Sequence, residues 1–202
     1  MIETKQDLKN YLIEDQKANF IASSKIKRRF GYGNATMRYT YRMRYAEYFL
    51  NKWKKSSGVK KFFFLILYKF NKFKLNRLSI KLGIFINLNS FGPGLRIAHP
   101  FCIYVGKNVK VGKNCFIHQC VTIGMNENEE NYPAIGDNAV IGAGAKIIGN
   151  VKIADNVCIG ANAVVVSNID EPNTTWGGVP AKKISTNSSL SYLSPYLDIS
   201  SK

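Results

Sequence analysis

Ten aliphatic residues fall on a six-residue beat between positions 105 and 165: Val105, Val111, Ile117, Ile123, Ile135, Ile141, Ile147, Ile153, Ile159 and Val165. A period of six suits neither the 3.6-residue face of a helix nor an unbroken strand alternation, so it calls for short strands bent at regular corners and stacked as a solenoid. The corners are marked as well. Three residues after each beat stand Asn108, Asn114, Cys120, Asn126, Asn138, Gly144, Asn150, Asn156, Asn162 and Asn168, all but one of a type that enters left-handed backbone cheaply. Four residues after it, Val109, Cys115, Val121, Ala145, Val151, Val157 and Ala163 are small enough to fill a narrow prism. The step from Ile123 to Ile135 keeps phase but skips a beat at Glu129. Residues 125–134, Met-Asn-Glu-Asn-Glu-Glu-Asn-Tyr-Pro-Ala, are polar and acidic, which predicts a loop leaving the scaffold.

The rest of the chain differs in kind. Residues 1–82 hold 20 Lys or Arg and 5 Asp or Glu, a net of +15 out of the whole chain's +16. Periodicity predicts helices over 5–20, 35–55 and 59–82, broken at Asn34 and Gly58. The expected organisation is a basic helical region 1–82, a repeat domain 83–185 with the loop 125–134, and a C-terminal tail 186–202. The longest apolar run, 62–68, is far short of the roughly 18 residues that cross a bilayer. The first residues do not read as a signal peptide, and a cytoplasmic protein is expected. The basic, aromatic stretch 60–74 fits a helix at an anionic membrane surface, hence the inner face of the membrane, or a helix packed on the repeat domain. Nucleic acid is not an expected partner, because no recognition motif accompanies the charge. Cys102, Cys115, Cys120 and Cys158 have no CxxC spacing and read as free thiols, and no metal site is expected.

The beat followed by glycine resembles the hexapeptide-repeat acyltransferases. Four runs are similar to the serine acetyltransferase group in particular: Gly94-Leu-Arg-Ile-Ala-His-Pro, Gln119-Cys-Val-Thr-Ile-Gly, Ile141-Gly-Ala-Gly-Ala-Lys-Ile-Ile-Gly-Asn and Gly177-Gly-Val-Pro-Ala-Lys. Enzymes that acetylate sugars of surface polysaccharides share these motifs. The resemblance covers about residues 84–185. It implies a mainly β fold, a left-handed parallel β-helix (hexapeptide-repeat solenoid) preceded by an α-helical N-terminal region. It also implies acetyl-CoA as co-substrate and a homotrimer with active sites between subunits.

Acetyl transfer from a thioester to a hydroxyl needs a base, and histidine, with an unperturbed pKa of about 6.5, is the usual one. His99 falls where the family places its catalytic histidine. His118 follows a beat where the family has an apolar residue, and with Glu127, Asn131 and Tyr132 it is assigned to acceptor binding. By the same resemblance Gly142, Ala143, Gly144, Ala161 and Gly178 would line the coenzyme A arm, and Lys182 and Lys183 would face its phosphates.

Departures from the serine enzymes bear on the acceptor. Ala98 precedes His99 where the family has an orienting aspartate, and Asn131 and Tyr132 stand before Pro133 where it has an arginine and a histidine. A sugar hydroxyl in surface polysaccharide is therefore the expected acceptor, with serine O-acetylation as the alternative. A non-enzymatic binding or assembly solenoid is the alternative of another class. The metal-dependent carbonic anhydrase type needs three histidine ligands per metal, and the two histidines of this chain argue strongly against it.

Overall fold

The computed structural model describes residues 1–19, 34–126 and 132–193. From Ile84 the chain winds as a left-handed parallel β-helix with three faces. Face A stacks β1 (Ile84–Ile86), β3 (Ile103–Val105), β6 (Thr122–Gly124), β9 (Lys146–Ile148) and β12 (Val164–Val165). Face B stacks β4 (Lys110–Val111), β7 (Ala134–Ile135) and β10 (Lys152–Ile153), extended by bridges Phe91–Val111 and Ile153–Ile169. Face C stacks β2 (Arg96–Ile97), β5 (Phe116–Ile117), β8 (Val140–Ile141), β11 (Cys158–Ile159) and β13 (Thr175–Gly177), closed by the antiparallel β14 (Lys182–Ser185).

All ten beat residues point inward and none is more than 5% exposed. Each sits above its counterpart one coil earlier, as Val105 pairs with Ile123 and Ile147 with Val165. Burying an Ile or Val side chain is worth about 1.5–3 kcal/mol, so the beat is the main driving force of this half of the chain.

The corners follow the expected chemistry except at three positions. Asn108, Asn114, Cys120, Asn138, Gly144, Asn156 and Asn162 have positive φ, whereas Asn126, Asn150 and Asn168 do not. Those three lie where face A passes to face B, a corner at which Asn108 of the earlier coil is still left-handed. At that corner Asn126 leads into the loop, Gly149 takes the left-handed position instead of Asn150, and the last coil is shortened. The skipped beat is also explained there. Ile135 stacks directly on Val111, so no face is missing and the extra six residues are an insertion at the A–B corner. At the B–C corner the asparagines form a ladder, Asn114 Nδ2 donating to Asn138 Oδ1 (2.9 Å), Asn138 to Asn156 (2.8 Å) and Asn156 to Asn173 (3.0 Å).

The N-terminal region is helical as expected: α1 (Lys5–Ala18), α2 (Asn34–Lys55) and α3 (Gly58–Leu82). The predicted end of the first helix at Phe20 lies outside the described residues. Thr4 caps α1, its hydroxyl accepting from Asp7 N while the Asp7 carboxylate accepts from Thr4 N. Tyr39, Met43 and Ala46 of α2 and Leu75 and Leu82 of α3 share one continuous core with the β-helix, so the helices form the floor of the prism. Gly83, at φ 59°, ends α3 in the left-handed region and turns the chain into β1.

A buried ion network fastens this floor. Arg44 and Glu47 of α2 and Asp15 of α1 are at most 1% exposed. Arg44 grips the Asp15 carboxylate through Nε (2.8 Å) and Nη2 (3.2 Å), reaches Glu47 at 3.1 Å, and donates to the carbonyls of Phe91 and Gly92. Asp15 in turn accepts from the backbone N–H of Gly94 and Leu95, and Glu47 from that of Asn89. Burial opposes the Arg44 charge, but the two carboxylates outweigh it and hold its pKa above the ordinary value.

Residues 189–193 fold back on face C. The short helix α4 (Leu190–Leu193) packs Leu193 against Val140, Cys158 and Phe116, and Ser189 Oγ donates to Asn138 O.

Candidate active site at the corner between faces C and A

The residues that follow face C in each coil stack into one vertical edge. Ala98 N donates to Ile117 O, His118 N to Ile141 O, Gly142 N to Ile159 O and Gly160 N to Trp176 O, at 2.8–3.0 Å. This ladder sets Ala98, His118, Gly142 and Gly160 in one column and puts His99, Gln119, Ala143 and Ala161 one residue further along, on successive storeys that Gly178 continues at the top, about 19 Å from bottom to top at a coil spacing of about 4.8 Å. The two histidines occupy the lower storeys and the small residues the upper ones. Sequence spacing alone does not reveal this shared edge, because His99 and Gly178 are 79 positions apart.

His99 is exposed at a corner that departs from regularity. Eight positions separate Ile97 from Val105, where six separate Ile117 from Ile123. The two extra residues are accommodated by left-handed backbone at Phe101 (φ 78°) and Cys102 (φ 57°), unusual for a side chain as bulky as phenylalanine. The bulge is held by Phe101 N to Leu82 O (2.7 Å) and Cys120 N to Phe101 O (3.1 Å), and it carries His99 out from the prism. Stored backbone strain of this kind concentrates at functional sites.

His118 is half-buried on the next storey, its ring 4.6 Å from that of Phe116. The Arg96 guanidinium covers the other part of the Phe116 ring at 4.2 Å, so Arg96, Phe116 and His118 form one stack. Arg96 and Phe116 were not picked out from the sequence. Their signal was present: they occupy the outward position just before the beat in register-paired strands. Gln119 Oε1 is also buried at this corner, with no hydrogen-bond partner among the described residues.

Burial depresses the His118 pKa, and the positive charges of His99 and Arg96 add to the effect. A depressed histidine pKa means that the folded chain favours the neutral ring. The stability this contributes is complete above the unfolded value of about 6.5 and is lost as pH falls through the lower folded value. Thermal melts at pH values on either side of 6.5 are expected to show an acid-side loss that is smaller in His118→Gln. An equal loss in both proteins would contradict the assignment.

The expected donor residues separate into two groups. Gly142 and Gly144 are explained by stacking: a Cβ on Gly142 would meet Ala161 N at 2.7 Å, and Gly144, at φ 74°, faces Asn162 Oδ1. Gly142→Ala is accordingly expected to cost about 1–3 kcal/mol of stability, read as a lowered unfolding midpoint. Ala143, Ala161 and Gly178 are the positions that open outward, and a Cβ on Gly178 would meet nothing closer than 3.5 Å. Lys182 and Lys183 on β14 stand beside Gly177 and Trp176 at the top of this edge. Lys183 is engaged with Glu171 at 2.6 Å, which leaves Lys182 as the more available cation of the two. An edge of small residues ending in a lysine fits a slender arm that carries phosphates.

The acceptor-side residues of the loop are not all placed. Glu127 and Asn131 lie outside the described residues. Tyr132 is half-buried at the A–B corner, beside buried Pro133, whose carbonyl accepts from Lys110 N. That corner is a different edge of the prism from the one carrying His99.

Comparison with known proteins agrees with the repeat fold. Residues 132–167 match the family model described as bacterial transferase hexapeptide (six repeats). A serine acetyltransferase of Staphylococcus xylosus is 37% identical over 93 residues, 42% of this chain and 43% of that protein. Among solved structures, the serine acetyltransferase of Neisseria gonorrhoeae is 27% identical with a TM-score of 0.67, covering 93% of this chain and 71% of its own. The soybean enzyme complexed with serine is 25% identical with a TM-score of 0.69, covering 89% and 70%. These names carry serine, and none carries the surface-polysaccharide acceptor expected from the departures at Ala98, Asn131 and Tyr132. The chain thus spans less than half the length of the curated relative, and its likeness to that relative and to the two solved structures is to proteins named serine acetyltransferase.

Proposed function

We propose that this protein is an acetyl-CoA-dependent O-acetyltransferase and that serine is its first candidate acceptor. The observation that carries the reading is the single edge on which a strained corner presents His99 below a run of small residues ending at Lys182. In this reading His99 takes the proton of the acceptor hydroxyl as its oxygen attacks the thioester carbonyl, and then returns that proton to the departing thiolate. His118, whose protonated form is disfavoured by burial, positions the acceptor by hydrogen bonding and is a poor competitor for the proton. Ala143, Ala161 and Gly178 line the pantetheine arm, Lys182 meets the phosphates, and backbone N–H groups of the corner stabilise the charge developing on the carbonyl oxygen. Because the loop leaves a different edge, Glu127, Asn131 and Tyr132 would reach His99 from a neighbouring copy in a homotrimer.

The second reading keeps a sugar hydroxyl as acceptor. It is favoured by Tyr132 and Asn131, which offer no cation for an amino-acid carboxylate where the serine enzymes have one. Release of free thiol from acetyl-CoA, measured with serine, nucleotide sugars and short glycans in parallel, separates the two readings. Turnover with serine supports the first, and turnover with a glycan alone supports the second. Absence of turnover with every acceptor, together with absence of coenzyme A binding, rejects both in favour of a non-enzymatic solenoid.

A further inference from the structure

The outer face of α3 is an apolar stripe with a basic rim, and no described part of the chain covers it. Phe62, Phe63, Ile66, Phe70, Phe73 and Ile80 are each more than half exposed. At 100° per residue they fall within an arc of about 100°, while Asn71, Leu75, Ser79 and Leu82 on the opposite side are buried against the floor of the prism. At its C-terminal end Ile80 joins Phe85 and Tyr104 of face A in lining an open cavity of about 440 Å³, so the apolar surface continues onto the solenoid.

Charge decides the occupant. The α3 sequence contains seven Lys or Arg and no Asp or Glu. Lys69 borders one side of the stripe, Lys74 and Lys81 the other, and Arg77 lies within it; Lys74 Nζ sits 3.9 Å over the Phe70 ring. Two copies meeting face to face through this stripe would bring these cations against each other, a destabilising arrangement. A surface that is apolar beneath and negatively charged on top satisfies both features. The helix is not long and apolar enough to cross a membrane, which leaves it lying in the interface.

We propose that α3 docks this protein on an anionic lipid surface, the aromatic stripe entering the headgroup boundary and the lysines and Arg77 pairing with lipid phosphates. The chemistry at the C–A corner plays no part in this argument. The test is cosedimentation with vesicles of phosphatidylglycerol and phosphatidylcholine mixed, against vesicles of phosphatidylcholine alone. Binding to the anionic vesicles is expected to be at least about tenfold tighter, since each cation near such a surface contributes on the order of a tenfold gain at most and several are present. It should weaken when salt is raised to about 0.5 M. Phe63→Glu with Phe70→Glu is expected to reduce it by at least about tenfold. Lys69→Glu with Lys74→Glu should abolish the lipid preference while leaving the unfolding midpoint near that of the parent. Equal binding to both vesicle types, or binding unchanged in both variants, overturns the proposal. So does a sedimenting oligomer that dissociates in the phenylalanine variant, which would assign the stripe to a second copy of the chain.

Discussion

Replacing His99 with alanine is expected to lower turnover by about 10²–10⁴-fold while leaving the affinity for coenzyme A close to that of the parent. The magnitude is that of a positioned general base. The split between the two measurements follows from the storeys of the C–A edge: His99 is at the bottom, and the small residues assigned to the donor lie two to four coils above it. His118→Ala should raise KM for the acceptor more than it lowers kcat, because burial disfavours the protonated form of this ring and leaves it to hydrogen-bond the acceptor without keeping its proton. Equal activity of the His99→Ala protein would remove the base from this mechanism, whichever acceptor proves correct. A parallel loss of coenzyme A binding would mean that the bulge at Phe101 and Cys102 had collapsed, which a circular dichroism melt would reveal.

Arg44→Ala is expected to be the most damaging single change to the fold, at about 3–5 kcal/mol, or on the order of 10 °C in Tm. The substitution leaves Asp15 and Glu47 buried beside each other without their cation, and it strips the Phe91 and Gly92 carbonyls of their donors. Because Asp15 also holds the N–H groups of Gly94 and Leu95, the disturbance reaches the first corner of the solenoid. Arg44→Met should be less harmful than Arg44→Ala, since it fills the volume, but it still strands both carboxylates. Chemical denaturation with an unchanged midpoint in Arg44→Ala would show that water replaces the guanidinium at little cost.

The beat was legible because it is a burial pattern, and burial is what a one-dimensional sequence encodes most directly: every residue from Val105 to Val165 assigned to the interior is there. The corners were legible where the coil is regular. Asn126, Asn150 and Asn168 were misread because their corner is set by an inserted loop, by Gly149 and by a shortened coil, none of which changes the local residue type. Helix limits at Lys55 and Leu82 follow from Ser57, Gly58 and Gly83 and were recovered closely. The Asp15–Arg44–Glu47 network was invisible, since its partners lie up to 80 residues apart and charged residues are ordinarily read as surface. At the candidate site the sequence supplied His99 and His118 but not their shared edge, nor the Arg96 and Phe116 stack beside them. At Gly142 and Gly144 the demand of the next coil is by itself sufficient to explain the missing side chain.

Parallel coils in register have the geometry from which fibres grow, each new strand templating on an open edge. In this chain both ends of the stack are plugged by its own sequence. Below β1, Tyr39 of α2 occupies the Ile86 N–H with its hydroxyl. Above, β14 reverses direction against β13, and the turn from Gly178 to Ala181 takes both the N–H and the carbonyl of Val164. The terminal turn that leads into Lys182 therefore also closes the top edge of the stack to a further parallel strand.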